Sequence, residues 1–226
     1  FHLLSSMHPT HVGLIDALPR RGQSGAQELR TAMPRATPPD LHALDVCQNM
    51  AQSVSTMQAL DILVLAQLAA DGSKPSARTL GEQLELPPST LQRSLGRLRQ
   101  AGLIDGDGVD GSLALEFFQH VPKFLMPARP DRARVVRGLR TGSYVAPLVD
   151  EFSPDRTPVV WELKGGPDEG YPVTPVVSEV PRLAKQRPDL RRVLAAVDAL
   201  RMEPARERRV ATDFLSRQLN AIGAFG

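Results

Sequence analysis

A single cysteine, Cys47, stands among the 226 residues. That excludes an intramolecular disulfide and any cysteine-rich zinc site, and it suits a reducing compartment, so the expected location is cytoplasmic. No apolar run reaches the roughly 18–20 residues that a membrane span needs, and no membrane partner is expected. The opening FHLLSSMHPTHVGLIDALPRR scatters its apolar residues and puts its arginines after them, the reverse of a secretory signal. Charge of one sign is lacking too. With 27 Lys and Arg against 25 Asp and Glu the formal net is +2, so only the distribution of charge can argue for an anionic partner.

Signatures of catalysis are equally scarce. No glycine-rich phosphate loop follows a strand, GQSGA lacks the spacing of a nucleophile elbow, and no His and carboxylate cluster has metal-ligand spacing. His8 and His11 have a proline between them, and Cys47 has no His or basic residue close in sequence to activate it. The expectation is a protein that is not an enzyme, with no cofactor and no metal. An enzyme whose site is assembled from residues distant in sequence is a rival reading, and a deep pocket with converging polar groups would be its sign.

What is present is a chain with 42% apolar residues, enough to bury a core in one large or two small domains. Residues 1–50 mix Pro, Arg, Thr, His and Ala with weak periodicity, and are read as an N-terminal extension with short helices at 24–33 and 40–52. The chain opens on Phe1, as expected of processing, of a fragment, or of translation from upstream. Met50 and Met57 are the candidate starts of the working protein. A transit peptide is disfavoured by Asp16, Glu28, Asp40 and Asp45.

From Met57 the pattern sharpens. In MQALDILVLAQLAADG, Leu60, Leu63, Val64 and Leu68 fall at helical spacing and Asp71-Gly72 ends the helix. In ARTLGEQL, the inward stripe is Ala77, Leu80 and Leu84, stopped by Leu86-Pro87-Pro88. Ser89 stands where an N-cap belongs. Leu91, Leu95 and Leu98 then face the core, which leaves Thr90, Gln92, Arg93, Arg97 and Gln100 outside. Gly102 closes this helix with a left-handed cap before the apolar pair Leu103-Ile104.

That order, with TLGEQLELPPSTLQRSLGRLRQAGLI (79–104) as its most specific part, resembles the winged helix-turn-helix domains of bacterial transcription regulators of the MarR, IclR and GntR types. The resemblance implies that the helix at 89–101 enters the major groove of double-stranded DNA and brings Ser89, Thr90, Gln92, Arg93 and Arg97 to it. The chemistry agrees. Hydroxyls and backbone N–H groups at a helix start suit a phosphate, Gln an adenine edge, and Arg a guanine. The bland alternative is an amphipathic surface helix with solvated arginines.

The expected wing, DGDGVDG (105–111), carries three aspartates where phosphate contacts would favour Arg or Lys. Asp105, Asp107 and Glu116 occupy positions of a calcium loop, but Val109 and Asp110 break that register, so a tight turn is the better reading. Lys123, Arg129, Arg132, Arg134, Arg137 and Arg140 face one acid, Asp131, in the next segment, which is read as an irregular loop that lies along DNA backbone or binds an acidic partner. Before it, a short helix to about His120 and a break at Pro122 are expected, with Phe117, Phe118 and Phe124 in the core.

TPVVWEL (157–163) and YPVTPVV (171–177) read as two β runs joined by KGGPDEG. Leu190, Val193, Leu194, Val197 and Leu200 then stripe a helix begun at Pro188, and Val210, Phe214, Leu215 and Leu219 a second one after Pro204. These helices either close a core within one chain or meet their twins in a homodimer. RGLRTGSYVAPL and the order of the later elements resemble a group of uncharacterised bacterial winged-helix proteins of MarR-like type.

The expectation is a mainly α fold with a small β wing: a winged helix-turn-helix at 51–121, a basic and extended segment at 122–177, and a C-terminal helical region at 178–226 for dimerisation. The function so read is a sequence-specific regulator of transcription, a repressor, that binds double-stranded DNA as a homodimer through Ser89, Thr90, Gln92, Arg93, Arg97 and Gln100. Lys123, Arg132, Arg134, Arg137 and Arg140 are the expected phosphate contacts. The alternative is a protein-binding winged helix of the adaptor or antitoxin kind, which the acidic wing favours.

Overall fold

The computed structural model describes residues 57–72, 75–106, 108–151 and 157–223, all within one compact unit, Cys47–Gly226. The helices expected at 24–33 and 40–52, and Asp107, lie outside the described residues. The architecture is mostly helical with one small three-stranded sheet, an α+β arrangement.

Helix α1 (Ala59–Asp71) begins with a capping box between Gln58 and Asp61 and ends at Gly72, whose φ of 62° is the left-handed conformation that glycine adopts without strain. Every residue from Asp61 to Ala69 is buried, because α1 is covered by helices on more than one side. Helix α2 (Ala77–Leu84) starts where the Ser76 hydroxyl accepts from the Thr79 N–H at 3.1 Å. Its inward residues are Leu80 and Leu84 alone, while Ala77, expected on that stripe, is exposed.

Helix α3 (Pro88–Gln100) starts one residue before the expected cap. Pro87 is its N-cap and Pro88 its first helical residue. Proline fits there because its φ is preset and the N–H it lacks would have had no partner. Ser89 is therefore inside the first turn and caps nothing. The other end matches the expectation: Gly102 is left-handed at φ 72°, its N–H reaches the Arg99 carbonyl, and the Leu103 N–H reaches that of Leu98, both at 3.0 Å. Leu103 and Leu98 are thereby seated in the core together.

A minimal hairpin follows, closed by an antiparallel bridge between Ile104 and Val109. Helix α4 (Gly111–His120) is capped by Asp110, and the single turn α5 (Pro122–Leu125) continues after a break at Val121. Phe117 and Phe118 pack edge to face in the core, but Phe124, expected beside them, is 78% exposed.

The basic segment holds a strand rather than only loop. β1 (Val136–Arg140) pairs antiparallel with both β2 (Val159–Glu162) and β3 (Asp168–Pro172), and β2 and β3 pair in parallel, so the three strands close on one another. Gly138 is opposite both Glu162 and Asp168, and a Cβ there would sit 2.1 Å from the Trp161 carbonyl oxygen, so no side chain fits. β3 begins inside the stretch expected to be turn, and residues 173–177, expected to be strand, are outside it.

Helix α6 (Val180–Gln186) leads into α7 (Pro188–Met202), which is buried without interruption from Val193 to Arg201. α8 (Ala205–Gly223) packs against α7, α4 and α1. The C-terminal pair thus closes the chain's own core, whereas the regulator reading favours its use in a dimer. At the seam of helix and sheet, the fully buried Asp198 accepts from the Thr141 hydroxyl at 2.8 Å, from Trp161 Nε1 at 2.7 Å and from Arg201 Nη1. Arg201, itself buried, also donates to the carbonyls of Met126 and Thr174. Burial pushes the Asp198 carboxyl above the usual carboxylate value, against the pull of Arg201 and the two neutral donors.

Candidate nucleic-acid interface

An amphipathic helix offers a partner only the side its own core leaves open, so the packing of α3 decides which residues are available. Leu91, Ser94, Leu95 and Leu98 are buried. Ser94 and Arg97 meet Asp61 of α1: the Ser94 hydroxyl donates to Asp61 at 2.6 Å, and Arg97 donates through Nε at 2.8 Å and Nη2 at 2.7 Å. With the Gln58 N–H at 2.7 Å, four donors converge on a carboxylate that has no exposure.

Arg97 is therefore a correction to the expected contact set. Its side chain is 12% exposed and its guanidinium is engaged in a two-pronged pair, so it locks α3 to α1 instead of reaching outward. The hydrogen bonds to Asp61 hold that guanidinium above arginine's usual value. Thr90, half-buried, lies on this same flank.

The opposite face of α3 is open. Ser89, Arg93, Gly96 and Gln100 are exposed and recur at i, i+4, i+7 and i+11, with Gln92 and Arg99 along one edge. No carboxylate interrupts this face. Arg93 rests its Nε on the Ser89 carbonyl at 3.2 Å. A Cβ at Gly96 would meet nothing within 4 Å, so packing within the chain does not require glycine there. Arg99 is the residue the sequence reading passed over. It enters because Arg97 has left, and the signal that would have found it is Asp61, an acid set into an apolar helix and in need of a cation.

The acidic hairpin is used by its own backbone. Asp105 accepts from the Gly108 N–H at 3.0 Å, and Asp110 from the N–H groups of Ser112 and Leu113 at 3.0 and 2.9 Å. The Leu113 bond, with Ser112, holds the Asp110 carboxyl below the usual carboxylate value. A depressed carboxyl stabilises the fold above its unfolded value, and that contribution is lost as pH falls through the folded value. Asp110→Asn keeps a good cap without the charge. Its urea midpoint is expected to fall less than the wild type's between neutral pH and about pH 3, below aspartate's ordinary value. Equal falls would show that Asp110 has no special share in the acid limb.

The basic segment is also less free than its sequence implies. Arg134 pairs with Asp131 and Glu162, Arg137 with Glu169, and Arg140 with Asp168, at 2.8–3.3 Å. Carboxylates from β2 and β3 thus balance cations that stand nearly alone in the sequence. Lys123 lies 4.9 Å over the Phe124 ring, and Arg129 and Arg132 are exposed. The structure gathers Ser89, Gln92, Arg93 and Gln100 on one face, separates Arg97 from them, and sets Arg134, Arg137 and Arg140 in ion pairs.

No protein family, curated protein or solved structure matches the chain. No described helix is long and apolar enough to cross a membrane.

Proposed function

We propose that α1, α2, α3 and the hairpin act as a winged helix-turn-helix that presents α3 to the major groove of duplex DNA, and that the protein regulates transcription as a repressor. The observation that carries this reading is the exposed, carboxylate-free face of Ser89, Gln92, Arg93, Gly96, Arg99 and Gln100 on a helix fixed from behind by Arg97 and Asp61. Arg93 and Arg99 supply base-edge donors, Gln92 and Gln100 amide pairs, and the absence of a Cβ at Gly96 allows close approach of the sugar-phosphate backbone. Phosphate contact from the basic segment falls to Arg129 and Arg132. A homodimer on a palindromic site is part of the proposal.

The test is a titration of the chain against its own upstream DNA and a scrambled duplex of equal length at two salt concentrations. Preference for the upstream duplex should persist at the higher salt. Arg93→Ala is expected to cost about 1–3 kcal/mol of binding and to relax base preference. Gly96→Ala is expected to raise helix stability by about 0.5–1 kcal/mol yet weaken DNA binding, a pairing that loss of fold cannot imitate. Salt-sensitive binding equal for both duplexes, or none, sinks the reading. Weight would then move to a protein partner, a second reading favoured by the exposed Phe124 ring with Lys123 above it.

A further inference from the structure

Between the end of β1 and the start of α7 lies a groove of about 520 Å³, within the range of small-molecule sites. Its charged wall is Arg140, Arg191 and Arg192 with one carboxylate, Asp168, among them, and its apolar wall is Val145, Ala146 and Pro188. Arg140 reaches Asp168 at 2.8 Å, and Arg192 is paired with Asp189 of its own helix turn. Arg191 is different. It is half-buried and donates Nε and Nη2 to one neutral acceptor, the Arg140 carbonyl, at 3.2 and 3.1 Å. Among the described residues no carboxylate hydrogen-bonds it.

Three guanidinium groups thus stand against two carboxylates, and the cation left over is the one most withdrawn from water. Burial, with Arg140 beside it, pulls the Arg191 guanidinium below arginine's usual value, while Asp168 opposes the shift. Arginine stays charged even so. A half-buried cation that no carboxylate hydrogen-bonds, with only the already paired Asp168 nearby, is unfavourable by itself, and an oxyanion placed in the groove relieves it while leaving the existing ion pairs in place.

We propose that this groove binds a small organic anion, its carboxylate or phosphate head on Arg191 with Arg140 and Arg192 around it, and its apolar body against Val145, Ala146 and Pro188. The site is independent of the DNA reading, since it uses no residue of α3. Arg191 supplies the charged hydrogen bonds, and the apolar wall selects against bare inorganic ions.

The experiment is calorimetric titration of the full chain with phenyl phosphate, with phenylacetate, and with phenylacetamide as the neutral isostere of the second. Binding of an anionic probe, none of the amide, and a loss of about tenfold or more in Arg191→Gln are expected, since charged hydrogen bonds carry the site. The better of the two anionic probes identifies the head group. Arg209→Gln, an exposed arginine of α8, should bind as the wild type does and exclude general charge attraction. If Arg191→Gln loses its fold by circular dichroism, Arg192→Gln on the groove rim takes its place, with a several-fold loss expected. Binding of the amide equal to that of phenylacetate, an equal loss in Arg209→Gln, or no binding of either anion up to about 10 mM overturns the proposal.

Discussion

Asp61→Ala is expected to destabilise the fold by about 3–5 kcal/mol, because it leaves the Arg97 guanidinium between two helices with no counter-charge. The aspartate has no exposure and answers four donors, so its removal orphans Ser94 and the Gln58 N–H as well. Unfolding in urea measures the loss. Arg97→Ala should be of comparable size, for the mirror reason that Asp61 then keeps a buried charge without its cation. The triple change Asp61→Leu, Arg97→Met, Ser94→Ala should recover much of the stability, since apolar groups of similar volume replace the whole network. A loss below about 1 kcal/mol in Asp61→Ala would make the pair equivalent to a solvated surface bridge. The DNA reading depends on this outcome: a weak lock would free Arg97 to point outward.

The second large effect is expected at Asp198. Asp198→Ala removes the anion that Arg201 faces and leaves Trp161 Nε1 and the Thr141 hydroxyl without their acceptor, all in the seam between α7 and the sheet. The Arg201 side chain is 1% exposed, so it cannot reach water without local opening, and the cost is again about 3–5 kcal/mol. Trp161 is the only tryptophan of the chain, which makes its emission a direct reporter of the seam. Thr141→Val, which removes one neutral donor, should cost less, about 1–3 kcal/mol. If Asp198→Ala and Thr141→Val prove equal, Arg201 is satisfied by the Met126 and Thr174 carbonyls alone and the ion pair adds little.

The helices were the legible part of this chain, and the reasons are local. Gly72, Gly102 and Pro188 act within a turn of where they stand, and the leucine spacing of α3 names its inner face without knowledge of what covers it. Arg97 shows where such reading ends. Periodicity places it on a flank, and whether a flank residue turns out or in depends on a partner 36 positions away. The sheet was harder for a different reason. A strand with one face in solvent alternates, but β1 buries Gly138 and Leu139 in succession because the strands close on each other, so a period of two never forms. Its arginines read as a loose basic run since their carboxylate partners are supplied by β2 and β3.

The unbroken burial of α7 from Val193 to Arg201 has a consequence for how the protein is made. Synthesis delivers α1, α2 and α3 long before the helix that covers α1, so apolar faces wait uncovered while about a hundred further residues leave the ribosome. The last helices to emerge decide whether the first ones have an interior to belong to. A nascent chain stalled before Pro188 is expected to be a substrate for chaperones and proteases, and α1, α2 and α3 expressed without α7 are expected to expose the face of α1 that it covers.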